Sequence, residues 1–317
     1  MNKSILKILK ISLPILLGFF LIWYSLQDVP LQVVLEYWKS ADKAWIVLGV
    51  FLGFLSHLSR AYRWLFQLEP LGYKVRLGNS IMAVFATYLI NYTIPRAGEV
   101  ARATILTNYE GVPFEKAFGT IVAERVADVL VVFLIITITL FLEFDFIYSF
   151  LAEKFNPTKI ILGFTILAAV ALFFVFYIKR STSSIALKIK TFVNGLIEGA
   201  LSIFKMKKKW AFIFHTFFIW TMYVLMFYVT TFAIQGLENI PFGAILIGFI
   251  LASFSIAATN GGIGSYPIAV FTAFSIFSIT KDPSYAFGWI MWASQTVLVI
   301  FFGGLSLLYL PVYNRKK

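Results

Sequence analysis

Long apolar stretches alternate with short polar breaks along nearly the whole chain. Six of them are long enough to cross a hydrocarbon core of about 30 Å, because a helix rises about 1.5 Å per residue. They occupy residues 8–26, 44–66, 117–142, 160–178, 210–234 and 285–311. The pattern predicts six full transmembrane helices, and the polar segments between them are too short for a soluble catalytic domain.

Two further apolar stretches, 78–107 and 242–280, are each divided by a polar break. The first break reads NYTIPRAGE and the second reads ATNGGIGSYP. The apolar pieces beside the first break are too short for ordinary spans, and this favours re-entrant helical hairpins or strongly tilted short helices. The pattern does not decide between re-entrant hairpins and pairs of short spans.

The order of these elements repeats along the chain. A span, a broken hairpin and a span occupy 44–142, and the same order returns over 210–311. Because the two hairpins start from opposite sides in the predicted topology, they indicate an inverted repeat, a plan that in transporters places the substrate site between the repeats. We therefore expect an all-α polytopic fold that forms one membrane domain over residues 1–317, with 179–209 as a basic, amphipathic cytoplasmic connector.

Composition and charge agree with a membrane protein. Of 317 residues, 60% are hydrophobic and 13% are charged, whereas a soluble domain carries roughly 25% charge. The net charge of +12 would suggest nucleic acid as a partner of a soluble protein. Here the basic residues lie at the ends of apolar stretches, so we attribute the charge to the positive-inside rule and expect no nucleic-acid partner. The chain has no cysteine, which excludes disulfides and thiolate metal sites.

The distribution of basic residues also orients the spans. Lysines and arginines concentrate before the first span, in the 60–77 loop, in the 179–209 segment and in the C-terminal tail. Both termini are therefore expected on the cytoplasmic side of the cell (inner) membrane. The first apolar run ends in WYSLQDVP without a small-x-small cleavage site, so it predicts a retained span rather than a signal peptide.

The first break carries ionisable residues at helical spacing. Pro95 ends one helix and suits the first turn of the next. Glu99 and Arg102 then lie on the same face as Pro95, and Glu99 is three positions from both Arg96 and Arg102. One carboxylate cannot neutralise two guanidiniums, and the helix N-terminus adds a positive dipole. The segment predicts a site for an anion such as phosphate, although arginines that snorkel into lipid headgroups would show the same pattern.

A second ionisable group, AERVAD, lies inside the span 117–142. Glu124 and Asp128 share one helix face, and Arg125 reaches Asp128 three positions away. Charges at such depth are costly and usually face a cavity or one another. We expect an ionic network between these residues and the 95–103 helix; this network either lines a substrate site or only staples helices together.

The second break is rich in glycine, and we interpret Asn260, Gly261, Gly262 and Gly264 as a candidate anion-binding turn. Glycine permits positive φ, and a turn that leads into a helix exposes backbone amides. Tight helix packing is the competing explanation for these glycines. His57 and His215 are single histidines on apolar spans, so we predict no metal site, and we predict no cofactor.

The motifs PRAGEVARATIL and ERVAD, about 20 residues apart, together with NGGIG, resemble the flippase-like membrane domain of lysylphosphatidylglycerol synthetases. The resemblance covers roughly residues 5–311 and implies a role in moving a lipid between leaflets. The chain given carries no soluble aminoacyl-transferase domain, so synthase activity is not expected. Many relatives have an acidic residue shortly after the glycine-rich turn, whereas this chain has Pro267 near that place.

The sequence thus predicts a non-enzymatic lipid transporter that binds an anionic lipid headgroup or lipid phosphate near mid-membrane. Translocation would be passive or ion-coupled, because the chain carries no nucleotide-binding motif. Two alternatives stay open: an intramembrane lipid-modifying enzyme with Glu124 or Asp128 as general base, and a non-catalytic membrane partner subunit. Membrane lipids are the expected partners, together with a possible enzyme of lipid or envelope synthesis. The candidate substrate-binding residues are Arg96, Glu99, Arg102, Glu124, Arg125, Asp128, Asn260, Gly261, Gly262 and Gly264, and no catalytic residue is assigned.

Overall fold

The computed structural model describes residues 3–94, 96–154, 157–181 and 206–315, with 183, 184, 186, 187, 190 and 203. Pro95 and most of the predicted connector 179–209 lie outside these residues. The described chain is helical and contains no strand, as the apolar pattern predicts. The helices are α1 (Lys3–Asp28), α2 (Leu31–Ser40), α3 (Lys43–Leu68), α4 (Leu77–Thr93), α5 (Ala97–Glu110), α6 (Phe114–Leu142), α7 (Phe144–Lys154), α8 (Pro157–Arg180), α9 (Lys209–Thr231), α10 (Phe242–Ala258), α11 (Ser265–Ile276) and α12 (Lys281–Tyr313).

Four helices within the described ranges, α3, α6, α9 and α12, are long and apolar enough to cross a membrane. A bent pair, Leu16–Asp28 and Leu31–Ser40, passes the same test as one unit with an angle of 76° between its parts. The described residues therefore give four or five spans, and the predicted number of six is not confirmed. The predicted span 160–178 lies inside α8, which is not in this set.

Both broken stretches fold as helical hairpins. In the first, α4 packs against α5, and in the second, α10 packs against α11. The arms have 17 and 14 residues in the first hairpin and 17 and 12 in the second. At about 1.5 Å per residue they rise only about 18 to 26 Å, which is short of a ~30 Å hydrocarbon core. These lengths favour re-entrant hairpins over full spans.

Local chemistry explains how the first hairpin reverses. Arg96 is the N-cap of α5 and has φ 60°, so the chain turns through a left-handed residue. The side-chain oxygen of Asn91 accepts a hydrogen bond of 2.8 Å from the Gly98 amide, which satisfies one free amide of the new helix. The arms then approach closely, because a Cβ atom at Gly98 would overlap the carbonyl oxygen of Thr87.

The helix contacts come in matching pairs. Helix α3 packs on α9; α4 packs on α12 as α10 packs on α6; and α5 packs on α6 as α11 packs on α12. Exchanging α3 with α9, α4 with α10, α5 with α11 and α6 with α12 leaves this set of contacts unchanged. That is the pattern expected of two repeats related by a two-fold axis, and the units 44–142 and 210–311 stay a prediction.

The tips of the two hairpins meet. A Cβ atom at Gly261 would lie 2.6 Å from the ring of Tyr92, so this glycine lets the second tip approach the first. The Tyr92 hydroxyl is 3.1 Å from the hydroxyl of Thr296 on α12, and the Trp292 indole donates to the Gly261 carbonyl at 2.8 Å. The two breaks therefore form one contact region inside the bundle.

Gly264 offers a test of how α1 docks on the second hairpin. It has φ 69°, and an added Cβ would lie 2.6 Å from the carbonyl carbon of Leu21. Gly264→Ala should lower the melting temperature in detergent, through left-handed strain of about 1–2 kcal/mol and overpacking of about 1–3 kcal/mol. The matched control is Gly236→Ala, because Gly236 has φ 88° but nothing within 4 Å of an added Cβ. Equal melting temperatures for the two variants would contradict the tight docking of α1.

Candidate functional site

Ionisable side chains from three helices meet in the interior of the bundle. We call the group the ion cluster. Its inner members are almost fully buried, and its outer members are partly exposed. The inner members are Arg60 and Arg63 on α3, Arg102 on α5, and Glu124 and Asp128 on α6; the outer members are Glu99 on α5 and Arg125 on α6.

Glu124 is the centre of the cluster. Its carboxylate is wholly buried and accepts a hydrogen bond from Arg60 at 2.9 Å. Arg102 donates to both of its oxygens, at 3.1 and 3.2 Å, and Arg63 lies 3.3 Å away. Three guanidiniums therefore surround one carboxylate, and a buried charge is tolerated only with such compensation.

Asp128 lies one helical turn after Glu124 on α6 and binds two of the arginines that surround Glu124. It accepts from Arg60 at 2.6 Å and from Arg63 at 3.0 Å. The indole of Trp220 on α9 lies 3.4 Å from the same carboxylate. The i, i+4 spacing on α6 and the i, i+3 spacing on α3 place two carboxylates opposite two arginines, which fixes the register of these helices.

Aromatic and hydroxyl groups complete the surroundings of the arginines. The guanidinium of Arg102 lies 3.8 Å from the ring centre of Trp64, a cation–π distance, and the Trp64 indole donates to Thr120 at 2.8 Å. Arg63 donates to Thr216 on α9 at 2.8 Å. The cluster thereby joins α9 of the second predicted unit to helices of the first.

The cluster has more positive than negative charge. Its four arginines face three carboxylates, which leaves one positive charge in excess. In addition, the Nε atoms of all four arginines are buried without a hydrogen-bond partner; these are Arg60, Arg63, Arg102 and Arg125. Buried donors without partners are costly, so the arrangement is chemically suited to receive an anion.

The cluster lies within the depth of the bundle rather than at its surface. Arg60 and Arg102 are about 8 residues from the ends of α3 and α5, and Glu124 is about 10 residues from the start of α6. At about 1.5 Å per residue this is about 12–15 Å along each helix. The three ends lie on one side of the molecule, where Arg76 and Glu110 form an ion pair of 2.9 Å.

The predicted network between the 95–103 helix and the 124–128 turn is present, but its pairing differs from the expected one. The i, i+3 spacing predicts that Glu99 pairs with Arg96 or Arg102, whereas Glu99 lies 3.5 Å from Arg125. That pairing was wrong, because Arg102 points to the fully buried Glu124 on the neighbouring helix. Arg96 is exposed at the hairpin tip, and the structure does not bring it into the cluster.

Sequence reasoning missed Arg60 and Arg63, which it assigned to a basic cytoplasmic loop. Both lie in α3 and are 2% and 0% exposed. Arg60 and Arg63 lie three positions apart inside the predicted span 44–66, and this spacing places them on one helix face. It could have indicated that both are buried, because cations of a solvent-exposed loop need not share a face.

The glycines of the glycine-rich turn lie in close contact with neighbouring side chains and backbone. Gly261 faces Tyr92, Gly262 lies against Ile256 and Tyr266, and Gly264 lies against α1. Asn260 is buried beside them. The structure does not bring these four residues into the ion cluster, and their close contacts agree with the alternative that the glycines serve helix packing.

Other polar groups lie outside the cluster. Among the described residues no group of three or more histidine, aspartate or glutamate side chains could hold a metal. His215 accepts or donates a hydrogen bond of 2.8 Å with Ser59, and His57 packs beside Tyr88. An open cavity of about 460 Å³ at the end of α8 shares no residue with the cluster; its lining is Phe173, Phe176, Tyr177, Arg180 and Ser181.

Residues 11–304 match the family described as the lysylphosphatidylglycerol synthase TM region. The chain belongs to this family. A UPF0104 membrane protein of Methanocaldococcus jannaschii is 28% identical over 126 residues, which cover 39% of this chain and 38% of that relative. The match therefore spans well under half of the relative's length. No solved structure matches the chain.

Membership of the lysylphosphatidylglycerol synthase TM-region family confirms the resemblance carried by the PRAGEVARATIL and ERVAD motifs. The protein is a multi-pass membrane protein. The two motifs contain most of the ion cluster, because Arg102 comes from the first and Glu124, Arg125 and Asp128 come from the second.

The charge balance of the cluster predicts a large effect for Glu124→Gln. The variant would leave Arg60, Arg63 and Arg102 to share Asp128, and an uncompensated buried charge costs about 3–5 kcal/mol. We expect a marked fall in melting temperature in detergent. Glu115→Gln removes the same charge from an exposed site on the same helix, and should change stability by less than about 0.5 kcal/mol. Similar melting temperatures for both variants would argue against a central structural role of Glu124.

Proposed function

We propose that the protein binds the anionic headgroup or phosphate of a membrane lipid at the ion cluster and moves that lipid between the leaflets. The observation that carries the proposal is the incomplete charge and hydrogen-bond balance of the cluster. Four buried arginine Nε atoms have no partner, and one positive charge is uncompensated. An anion with several acceptor oxygens satisfies both deficits, and arginine is the side chain best suited to phosphate.

The position of the cluster favours a lipid over a soluble anion. The cluster lies in a bundle whose α6, α9 and α12 carry many exposed, large hydrophobic residues. A lipid can bring its phosphate to the arginines while its acyl chains stay in the bilayer. In the predicted orientation, with both termini cytoplasmic in the cell membrane, the cluster would lie in the cytoplasmic half of the membrane.

The hairpins support movement rather than binding alone. Discontinuous helices that meet inside a repeat-built bundle are a recurrent feature of secondary transporters, in which one repeat rocks against the other around the site. Here α5 carries Arg102 and Glu99 from the first hairpin into the cluster, while Tyr92 of the same hairpin contacts the second hairpin at Gly261. A lipid bound at the cluster would thus be coupled to the relative position of the two hairpins.

The alternative of an intramembrane enzyme receives less support. A general base needs a carboxylate oxygen within reach of a substrate proton. The oxygens of Glu124 and Asp128 accept hydrogen bonds from arginines of the cluster. A partner subunit without transport activity would require the cluster only for stability, and it would not explain the unpaired donors.

Arg60→Gln tests the proposal in liposomes that contain the full-length protein and a fluorescent anionic phospholipid. We expect at least a tenfold fall in the rate of probe movement between leaflets, because the anion loses a cationic partner worth about 1.4 kcal/mol or more. Lys116→Gln is the matched control, since Lys116 is exposed and lies outside the cluster. Because Arg60→Gln also removes buried bonds to Glu124 and Asp128, it should melt at a lower temperature than Lys116→Gln. The rates are therefore compared at a temperature at which size-exclusion chromatography shows both variants to be monodisperse. A wild-type protein that moves no anionic probe, or an Arg60→Gln variant that moves it at the wild-type rate, would count against the proposal.

A further inference from the structure

The ion pairs of the cluster fall into a tight inner set and a loose outer set. The inner pairs join almost fully buried side chains at N–O distances of 2.6 to 3.3 Å. In the outer set, Arg125 lies 3.5 Å from Glu99 and 3.6 Å from Asp128. The side chains of Arg125 and Glu99 are 38% and 25% exposed. The Glu99–Arg125 pair is therefore the part of the ion cluster that a ligand can reach from outside the bundle, and we call it the opening of the cluster.

Glu99 is loosely held at both of its carboxylate oxygens. One oxygen is 3.5 Å from Arg125 and the other is 3.4 Å from the amide of Asn91. Charge-assisted hydrogen bonds are usually about 2.7–2.9 Å long. The Nε atom of Arg125 is buried and has no partner. Arg125 can thus offer an anion better contacts than those that Glu99 now makes with it.

Hydroxyl groups lie beside the same opening. The hydroxyls of Tyr88 and Tyr223 are 3.4 Å apart, and both rings are only partly buried. Tyr88 precedes Asn91 by three positions on α4, so it lies about one helical turn from the amide that contacts Glu99. An anion that displaced Glu99 would therefore have neutral hydroxyl donors about one helical turn away, and the unpaired Nε atom of Arg60 is a further donor of the cluster.

The charge of the site depends on where Glu99 lies. With Glu99 in place, four guanidiniums face three carboxylates and the excess is one positive charge. If Glu99 turns away, only Glu124 and Asp128 remain, and the excess rises to two. A phosphate monoester carries about −1.5 to −2 at pH 7, whereas a phosphodiester carries a single negative charge. The opened site is thus matched in charge to a monoester.

We propose that the Glu99 carboxylate, at its position beside Arg125, occupies the place that the phosphate of the substrate takes. A lipid phosphomonoester displaces the Glu99 carboxylate from Arg125 and takes up the unpaired donors of Arg125 and Arg60. This inference rests on the proposed function, because it assigns the substrate class and the competitor to the same cluster. Only the molecules in which Glu99 has left the site can bind the lipid, so Glu99 lowers the apparent affinity of the protein for the lipid. Removing the charge of Glu99 should therefore make lipid binding tighter.

Binding by the purified full-length protein in detergent micelles tests this inference. The probes are phosphatidic acid, a phosphomonoester, and phosphatidylglycerol, a phosphodiester with the same acyl chains; bound lipid is measured by native mass spectrometry. The wild type should prefer phosphatidic acid, and Glu99→Gln should bind it about fivefold more tightly. Glu115→Gln is the matched control, since it removes one negative charge from an exposed position on α6, and it should bind as the wild type does.

A second variant, Arg125→Gln, keeps the test independent of a general increase in net charge. It should weaken phosphatidic acid binding about tenfold and reduce the preference over phosphatidylglycerol, because the opened site would then carry one excess charge instead of two. Thermal unfolding should show both Glu99→Gln and Arg125→Gln to be folded, as their side chains are partly exposed.

The outcomes separate the two proposals. If the wild type binds anionic lipids but Glu99→Gln binds them no more tightly than Glu115→Gln, the displacement by substrate is overturned while the proposed function stands. If the wild type binds neither lipid, both fail. Inorganic phosphate that competes as strongly as phosphatidic acid would support the monoester chemistry but overturn the lipid as its source.

Discussion

The placement of Glu124 among three guanidiniums is the interaction on which the rest of the structure depends. A carboxylate without exposure can stay ionised only if nearby cations and hydrogen bonds replace the lost solvent. Arg60, Arg63 and Arg102 provide this replacement, and they come from two helices besides the one that carries Glu124. The register of α3, α5 and α6 is therefore set by charge compensation as much as by apolar packing, which is weakly directional.

The first hairpin connects this buried network to the opening of the site. Its helix α5 carries Arg102, held tightly by Glu124, and Glu99, held loosely by Arg125. The chain reverses direction before α5, and this reversal places Arg102 and Glu99 within the bundle. A continuous helix of the same length would place them beyond the end of the bundle. Asn91 and Gly98 make this break compatible with a membrane interior, because they satisfy a free amide and allow the arms to touch.

The ion cluster has a tightly paired inner part and an outer part whose hydrogen bonds are incomplete. The inner pairs are short and buried, so they resist rearrangement, whereas the outer pair is long and partly exposed. A site with this division can hold the helices together without a ligand and still gain favourable contacts when an anion arrives. The protein belongs to the lysylphosphatidylglycerol synthase TM-region family, and under the proposed function the anion that enters this site is the headgroup or phosphate of a membrane lipid.

The sequence by itself determined the all-helical class, the two broken stretches and the shared face of Glu124 and Asp128, because these depend on periodicity and length within one segment. It also singled out Arg102. It did not determine that Arg96 lies at the surface, that Glu99 pairs with Arg125, or that Arg60 and Arg63 enter the cluster. Near a span end, a buried cation and a loop cation look alike in sequence. Only the tertiary structure distinguishes them, because the carboxylate that compensates Arg60 lies 64 residues away on another helix.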